Sequence, residues 1–304
     1  MYKMIAMDMD GTLLTDNKQI TERTKKVINL ASKKGVKIAV CTGRIFASAR
    51  IYAEMIGTKT PVIASNGAYI RDKDTNKVIY EKYLKTDEVL KLAELTKGYG
   101  FYPHFYTYNT IMSEKMIFSS KNYNEWNKVL PDDAKINIVI CSSLKDKVLE
   151  YNGKIIKMVV ASDEGIRINE LKNKIQNESN FSVVSSFPNS FEVMPYGTSK
   201  GNGVKILADK YNIPPEEVIC VGDSENDISM IQYAGLGIAM GNAAEDVKMA
   251  ADYITDTNEN EGVAKAIERF VLNNWFLTFK LFVKSDKIIV YEYLLNVNIN
   301  TDII

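Results

Sequence analysis

Asp8-Met9-Asp10-Gly11-Thr12-Leu13-Leu14 is the stretch that decides how this chain is read. It closes an apolar run over residues 3–8 that reads as a buried strand, and Gly11 ends that strand in a tight turn. An aspartate just beyond a buried strand can attack phosphorus when a cation offsets the repulsion between its carboxylate and the phosphate. Asp8 stands in that position. Asp10, two residues on, projects toward the same pocket and suits a general acid on the leaving oxygen, then a general base on the hydrolytic water. For this stretch alone, an aspartate pair in an ordinary β-turn is the alternative.

Three further stretches complete a set. Thr42-Gly43-Arg44 follows a second apolar run: Thr42 offers a hydroxyl donor to a phosphoryl oxygen, Gly43 lets backbone N–H groups approach it, and Arg44 adds charge nearby. A helix-capping threonine is the competing reading. Lys200 opens a helix behind Ser199, where the helix dipole disfavours a cation, which suggests a partner such as Asp8 and the phosphate. Gly222-Asp223-Ser224-Glu225-Asn226-Asp227 follows another strand. Mg²⁺ takes oxygen ligands in octahedral geometry and keeps waters, so Asp8 and Asp223 suffice as carboxylate ligands. The Asp10 backbone carbonyl is a candidate third ligand, with Asp227 holding waters or orienting partners from behind. Calcium-loop spacing is absent. Together the four stretches predict a Mg²⁺-dependent phosphohydrolase, with Arg44, Asn66 and Asn226 as further substrate or phosphate contacts.

Organisation supports this. Strands over 3–8, 36–41 and 61–64 alternate with helices, the first capped by Thr21 and the second over 45–56, an order that a parallel sheet with right-handed crossovers requires. A hairpin pairs 68–70 with 78–80 across a polar turn. From residue 82 to 189 strands over 101–108, 136–141, 155–160 and 181–185 mix with helices over 87–97, 123–130 and 164–177, an inserted α+β module. The core pattern resumes at 191 with strands over 191–194, 218–221 and 236–240 and helices over 200–211, 226–233, 243–250 and 262–272. The predicted division is thus a catalytic core of 1–81 and 190–274, an inserted domain of 82–189, and a C-terminal extension of 275–304. That extension is apolar but broken by charges, so a membrane helix is not expected, and an appended segment without a role in the chemistry is the preferred reading.

Composition narrows the partners. The 304 residues are 46% apolar and carry 38 acidic and 38 basic side chains, so no global field draws in nucleic acid or an anionic membrane. A small phosphorylated metabolite is the expected partner, bound by a monomer or homodimer. Cys41, Cys141 and Cys220 lie in apolar segments without metal-type spacing and read as buried free thiols. The N-terminus runs into a strand with no leader pattern, which predicts a cytoplasmic location. His104 is the only histidine, which removes histidine-nucleophile and histidine-rich binuclear chemistries. No Cys is followed six positions later by Arg, no Walker pattern is present, and Gly235-Leu236-Gly237 lacks the glycine spacing of a dinucleotide loop.

The four motifs resemble those of the haloacid-dehalogenase-like (HAD) hydrolase superfamily. Ser65-Asn66-Gly67, Ser190-Phe191-Glu192-Val193 and Gly241-Asn242-Ala243 add a likeness to its Cof-type, subclass IIB branch. The resemblance spans residues 1 to about 274. It implies an α/β fold, a Rossmann-like core with a parallel sheet plus a large inserted α+β cap, Mg²⁺, and an aspartyl-phosphate intermediate. By the same match Asp8 is the nucleophile, Asp10 the acid/base, Thr42 and Lys200 phosphate binders, and Asp223 a metal ligand. The expected substrates are small phosphorylated metabolites, sugar phosphates first, with flavin or pyridoxal phosphates next. A phosphosugar mutase on the same scaffold and a non-catalytic metabolite-binding protein are the alternatives. In the cap, Tyr102, His104, Tyr106 and Tyr108 alternate onto one face of a predicted strand, where they either meet a substrate or pack on helices.

Overall fold

A computed structural model describes residues 1–163, 165–178, 180–186, 189–272, 280–284 and 287–291. The first strands are β1 (Met4–Met7), β2 (Lys37–Val40), β3 (Val62–Ala64), β4 (Tyr69–Arg71) and β5 (Val78–Glu81). A second group comprises β6 (His104–Tyr106), β7 (Thr110–Ser113), β8 (Asn137–Ile140), β9 (Lys157–Ala161), β10 (Phe181–Val184) and β11 (Ser190–Pro195). They are followed by β12 (Val218–Gly222), β13 (Leu236–Ala239) and β14 (Tyr253–Ile254). Late in the chain β15 (Lys280–Lys284) and β16 (Lys287–Tyr291) pair antiparallel as a hairpin inside the predicted extension.

The main sheet is parallel throughout, in the order β14-β13-β12-β1-β2. Its strands are short and apolar with no polar alternation, as expected of strands covered by helices on both faces. Met4, Ile5, Ala6 and Met7 of β1 are all fully buried, with Met4 and Ala6 in one apolar cluster and Ile5 and Met7 in another. Successive side chains thus serve opposite faces. Thr21 caps the helix Glu22–Lys33 by accepting from the Thr24 N–H. That helix buries Val27, Ile28 and Ala31 on the sheet. Chain order in the sheet reverses at β1, where the chain leaves to β2 on one side and returns as β12 on the other. Ligand crevices form at such points, beyond the C-terminal strand ends.

A single parallel bridge from Cys41 to Ile63 attaches the antiparallel β3-β4-β5 ribbon beside β2. The second large sheet runs β10-β11-β9-β6-β7-β8, antiparallel except where β7 meets β8. It has its own apolar core, built around Phe105, Met158, Val160, Leu171 and Phe191.

Several expected elements shift. The strand expected to resume the core at 191 is β11, which instead pairs with β9 and β10 of the second sheet. The strand expected over 101–108 is only three residues long, because the chain turns at Asn109 and returns as β7. The helix expected over 123–130 starts earlier, at Phe118, and ends at Asn127; Ile117 before it provides no side-chain cap, which hid its start. The segment expected as one helix over 262–272 is α-helical for Gly262–Ile267 and π-helical for Glu268–Leu272. Among the described residues no helix is long and apolar enough to cross a membrane.

Candidate active site

Asp8 and Asp223 directly follow the neighbouring strands β1 and β12, and Thr42 comes two residues after the end of β2. The parallel registers bring them together: Met7 is level with both Val40 and Val221, and the Asp8 N–H donates to the Val221 carbonyl at 3.0 Å. Lys200 reaches the same point from the first turn of the helix Lys200–Lys210, whose N-cap is Ser199. Its fully buried ammonium donates to Asp8 Oδ1 at 2.6 Å and Asp227 Oδ1 at 2.5 Å. The other oxygen of Asp227 accepts the Asp223 and Ser224 N–H groups at 2.9 and 3.0 Å. Asp223 is held by Thr12 Oγ1 at 2.6 Å and Ser224 Oγ at 3.0 Å. Gly11 is required here: its φ is +81° and a Cβ would lie 2.4 Å from Asp223 Oδ2.

Carboxylate oxygens of Asp8, Asp223 and Asp227 lie within 4.8 Å of one another. Three carboxylates thus gather beside one buried ammonium, with Asp8 and Asp227 buried and Asp223 partly exposed. Burial pushes the Asp8 carboxyl well above the usual carboxylate range; Lys200 opposes this, while Asp227 and Asp223 add to it. Burial and the Asp227 charge push Asp223 up to about 6, against the hydrogen bonds from Thr12 and Ser224. Burial disfavours the Lys200 cation, yet the charges of Asp227 and Asp8 outweigh it and hold the ammonium more firmly protonated than usual.

Asp10 is in a different state. The Arg44 guanidinium forks onto it, Nε to Oδ2 at 2.7 Å and an NH2 group to Oδ1 at 2.8 Å, and Lys18 Nζ adds a contact at 2.8 Å. Burial would raise its carboxyl, but Arg44 and then Lys18 prevail and lower it to about 2. The Arg44 guanidinium itself lies over the rings of Tyr52 and Trp126, at 5.0 and 5.7 Å from their centroids. Thr42 does not cap a helix, since the N-cap of Phe46–Met55 is Ile45. Its Oγ1 accepts the Arg44 N–H at 3.2 Å.

These groups open into a crevice of about 680 Å³ between the parallel sheet and the second sheet. Asp8, Asp10, Thr42, Gly43, Arg44 and Asn226 line it. Asn66 sits behind its wall on an unusual turn: Ser65, Asn66 and Gly67 have φ of 50, 55 and 90°. Gly67 lets that turn lie against the Lys200 helix, where a Cβ would come within 2.2 Å of the Ser199 carbonyl oxygen. Asn66 accepts from Asn226 Nδ2 at 3.0 Å and donates to Glu192 Oε2 at 3.2 Å.

The second sheet contributes residues that the sequence reading did not assign. Lys157 of β9 and Glu192 of β11 form a buried ion pair in the crevice wall, and Lys157 also donates to the Gly43 carbonyl at 2.6 Å. Ser186 links Glu192 to Asn226, at 2.8 Å on each side. Tyr123 and Trp126 add aromatic wall. Glu192 stood within a recognised motif, but only the pairing of β11 with β9, which sets Glu192 opposite Val159, brings Lys157 two residues along β9 within its reach. Of the four alternating residues Tyr102, His104, Tyr106 and Tyr108, only Tyr106 lines the crevice. His104 is buried against Ser120 at 3.0 Å, Tyr108 stacks on Tyr69, and Lys115 covers Tyr102.

The whole arrangement, acidic strand ends with a buried lysine under a second sheet, has known counterparts. Residues 5–267 match the family model of haloacid dehalogenase-like hydrolases. The chain belongs to this family. A curated relative, the 5-amino-6-(5-phospho-D-ribitylamino)uracil phosphatase YcsE of Bacillus subtilis (strain 168), is 34% identical over 274 residues, covering 89% of this chain and 96% of the relative. Among solved structures, a haloacid dehalogenase-like hydrolase from B. subtilis superposes with a TM-score of 0.78 at 27% identity, covering 88% of this chain and 99% of the other. The subclass IIB sugar phosphatase BT4131 of the same HAD superfamily gives 0.72 at 27% identity, covering 88% and 98%. The chain is thus an α/β HAD-type hydrolase of the subclass IIB kind, and the second sheet is its cap.

Proposed function

We propose that this HAD hydrolase is a Mg²⁺-dependent phosphomonoesterase for small phosphorylated metabolites, working through an aspartyl phosphate on Asp8. One observation carries the reading: Asp8 faces the crevice at a strand end, paired with a buried lysine and beside two further carboxylates. Three acidic groups against one ammonium leave an excess of negative charge that a divalent cation neutralises, and the donor set is all oxygen, as Mg²⁺ prefers. Asp8 and Asp223 would hold the ion with the Asp10 carbonyl, while Asp227, engaged by Lys200 and two backbone N–H groups, orients the others from behind. When bound, the ion would relieve the repulsion between a carboxylate nucleophile and a phosphate dianion.

In the proposed reaction an Asp8 carboxylate oxygen forms a bond to phosphorus as the bond from phosphorus to the ester oxygen breaks. Asp10 supplies the proton to the leaving alkoxide. Water then attacks the phosphorus of the acyl phosphate, Asp10 takes its proton, and phosphate leaves with Asp8 restored. Before substrate arrives, Arg44 and Lys18 hold Asp10 as an acceptor. Both cations line the crevice, so a phosphate dianion competes for them and frees Asp10 to carry a proton. Thr42, Gly43 and Lys200 are the proposed phosphate contacts, with Asn66 and Asn226 bracing the wall beside them.

A crevice of about 680 Å³ suits a metabolite. Sugar phosphates come first, because one relative is named for a substrate whose phosphate sits on a ribityl chain and one structural neighbour is a sugar phosphatase. Flavin-type and pyridoxal phosphates follow, given the aromatic wall of Tyr106, Tyr123 and Trp126. The test is phosphate release from a panel of sugar and cofactor phosphates with and without Mg²⁺. Turnover of these esters that stops on chelation is expected; folded, Mg²⁺-loaded protein that releases no phosphate would sink the proposal.

A further inference from the structure

The turn Thr42-Gly43-Arg44 is held on three sides. The Thr42 carbonyl accepts the Asn66 N–H at 3.0 Å and the Arg44 carbonyl accepts the Ser65 N–H at 2.8 Å, both within the core. The remaining carbonyl, Gly43, is held only from the cap among the described residues, by Lys157 Nζ at 2.6 Å. That carbonyl shares one rigid peptide plane with the Arg44 N–H, which in turn donates to Thr42 Oγ1 at 3.2 Å. With its oxygen accepting from its own turn, the Thr42 hydroxyl has its proton left to donate into the crevice. The Arg44 side chain leaves from the same plane and forks onto Asp10.

Lys157 is itself fixed. It is 4% exposed, paired with Glu192, and 5.0 Å from the centroid of Tyr106. Ser186 and Asn66 hold Glu192 at 2.8 and 3.2 Å. A buried ion pair is a weak source of stability, because desolvation offsets most of its attraction. Its placement on the backbone of a phosphate-binding turn gives it another use.

The geometry points to Lys157 as a positioning residue that sets the Thr42-Gly43-Arg44 turn from the cap, so that the Thr42 hydroxyl is aimed into the crevice only when the cap is docked. This rests on the phosphatase reading above. Because the effect passes through the phosphoryl-binding turn, it is independent of the alcohol being released.

The test compares wild type, Glu192→Gln, and the double variant Lys157→Met/Glu192→Gln, which leaves no lone buried charge; Lys157→Gln/Glu192→Gln replaces it if that does not fold. Binding of inorganic phosphate in Mg²⁺ is measured by calorimetry, and kcat/KM on p-nitrophenyl phosphate and ribose 5-phosphate, which have unlike leaving groups. The double variant should lose about tenfold or more in phosphate affinity and equal factors in kcat/KM on both esters, with Glu192→Gln nearer wild type. In a Thr42→Val background the same change should cost far less, since both act through one hydroxyl. Phosphate affinity within about twofold of wild type, a loss on one ester only, a loss already complete in Glu192→Gln, or full additivity with Thr42→Val would each overturn the inference. Wild type that binds phosphate but hydrolyses no ester would sink the phosphatase reading, while the affinity comparison would still judge Lys157. Wild type that binds no phosphate would overturn both.

Discussion

Replacing Lys200 with Met deletes the single positive charge at the centre of the site while keeping most of its volume. The ammonium lies 2.6 Å from Asp8 and 2.5 Å from Asp227, with lysine and Asp227 side chains fully buried and Asp8 at 8% exposure. Removing one partner of a buried pair costs about 3–5 kcal/mol, because the other charge is left without compensation. Two carboxylates lose their partner here, but Asp227 keeps the Asp223 and Ser224 N–H donors, so the single-pair range applies. At a urea slope of about 3 kcal/mol/M the unfolding midpoint should fall by roughly 1–1.7 M in metal-free protein. Saturating Mg²⁺ should return more of that loss to the variant than it adds to wild type, since the ion then supplies the missing charge. The assay is urea unfolding of both proteins at neutral pH in chelator and in Mg²⁺. A metal-free variant as stable as wild type would refute the reasoning that an uncompensated acidic cluster surrounds Lys200.

His104 gives a pH signature away from the site. Burial depresses its pKa to about 4, against backbone carbonyls that favour the charged form. The unfolded chain takes up a proton below about 6.5 that the folded protein refuses. Stability from this group is therefore full above that pH and lost as pH falls toward 4, about 3 kcal/mol in all. His104→Gln should flatten this window in urea unfolding, and an unchanged slope would contradict the burial. Gly67→Ala should cost about 2 kcal/mol or more, from both its positive φ and the Ser199 carbonyl 2.2 Å from the new Cβ. Gly153→Ala, with positive φ but nothing within 4 Å, should cost about 1 kcal/mol; equal thermal shifts for the two would dismiss the close approach. Arg44→Lys keeps the charge but loses the fork on Asp10, and kcat/KM should fall by about tenfold or more. Activity at the wild-type level would remove Arg44 from the positioning of Asp10.

Much of the fold was legible because the parallel strands read as uninterrupted apolar runs. Residues 36–41, apart from the exposed Lys37, and residues 218–221 are apolar throughout, and each run stops at a motif. Strand ends carry ligands in this architecture, so Asp8, Thr42 and Asp223 could be grouped before any register was known. The cap was harder to read. Its strands are short, and the turn at Asn109 divides one aromatic stretch into β6 and a tight return to β7. A local pattern also cannot tell which sheet a strand joins: Phe191 to Met194, apolar but for Glu192, stands where the core pattern would resume, yet its partners are β9 and β10. The Lys157 contact with Gly43 bridges 114 positions and leaves no periodic trace. Arg44 was legible as a charge near substrate; its fork onto Asp10 depends on side-chain directions that spacing does not encode. The tyrosine alternation at 102, 106 and 108 was a true feature with a mixed use, since only Tyr106 reaches the crevice.

The central claim is that Asp8 carries the phosphoryl group. Wild type and Asp8→Asn would be mixed with Mg²⁺ and the best ester of the panel, quenched in acid within one turnover, and digested for mass spectrometry. A phosphoryl group that appears and decays on the peptide containing Asp8, at a rate matching turnover and absent from Asp8→Asn, is the predicted result. Turnover by Asp8→Asn at the wild-type rate, or a wild-type Asp8 that stays unmodified while phosphate is released, would contradict it.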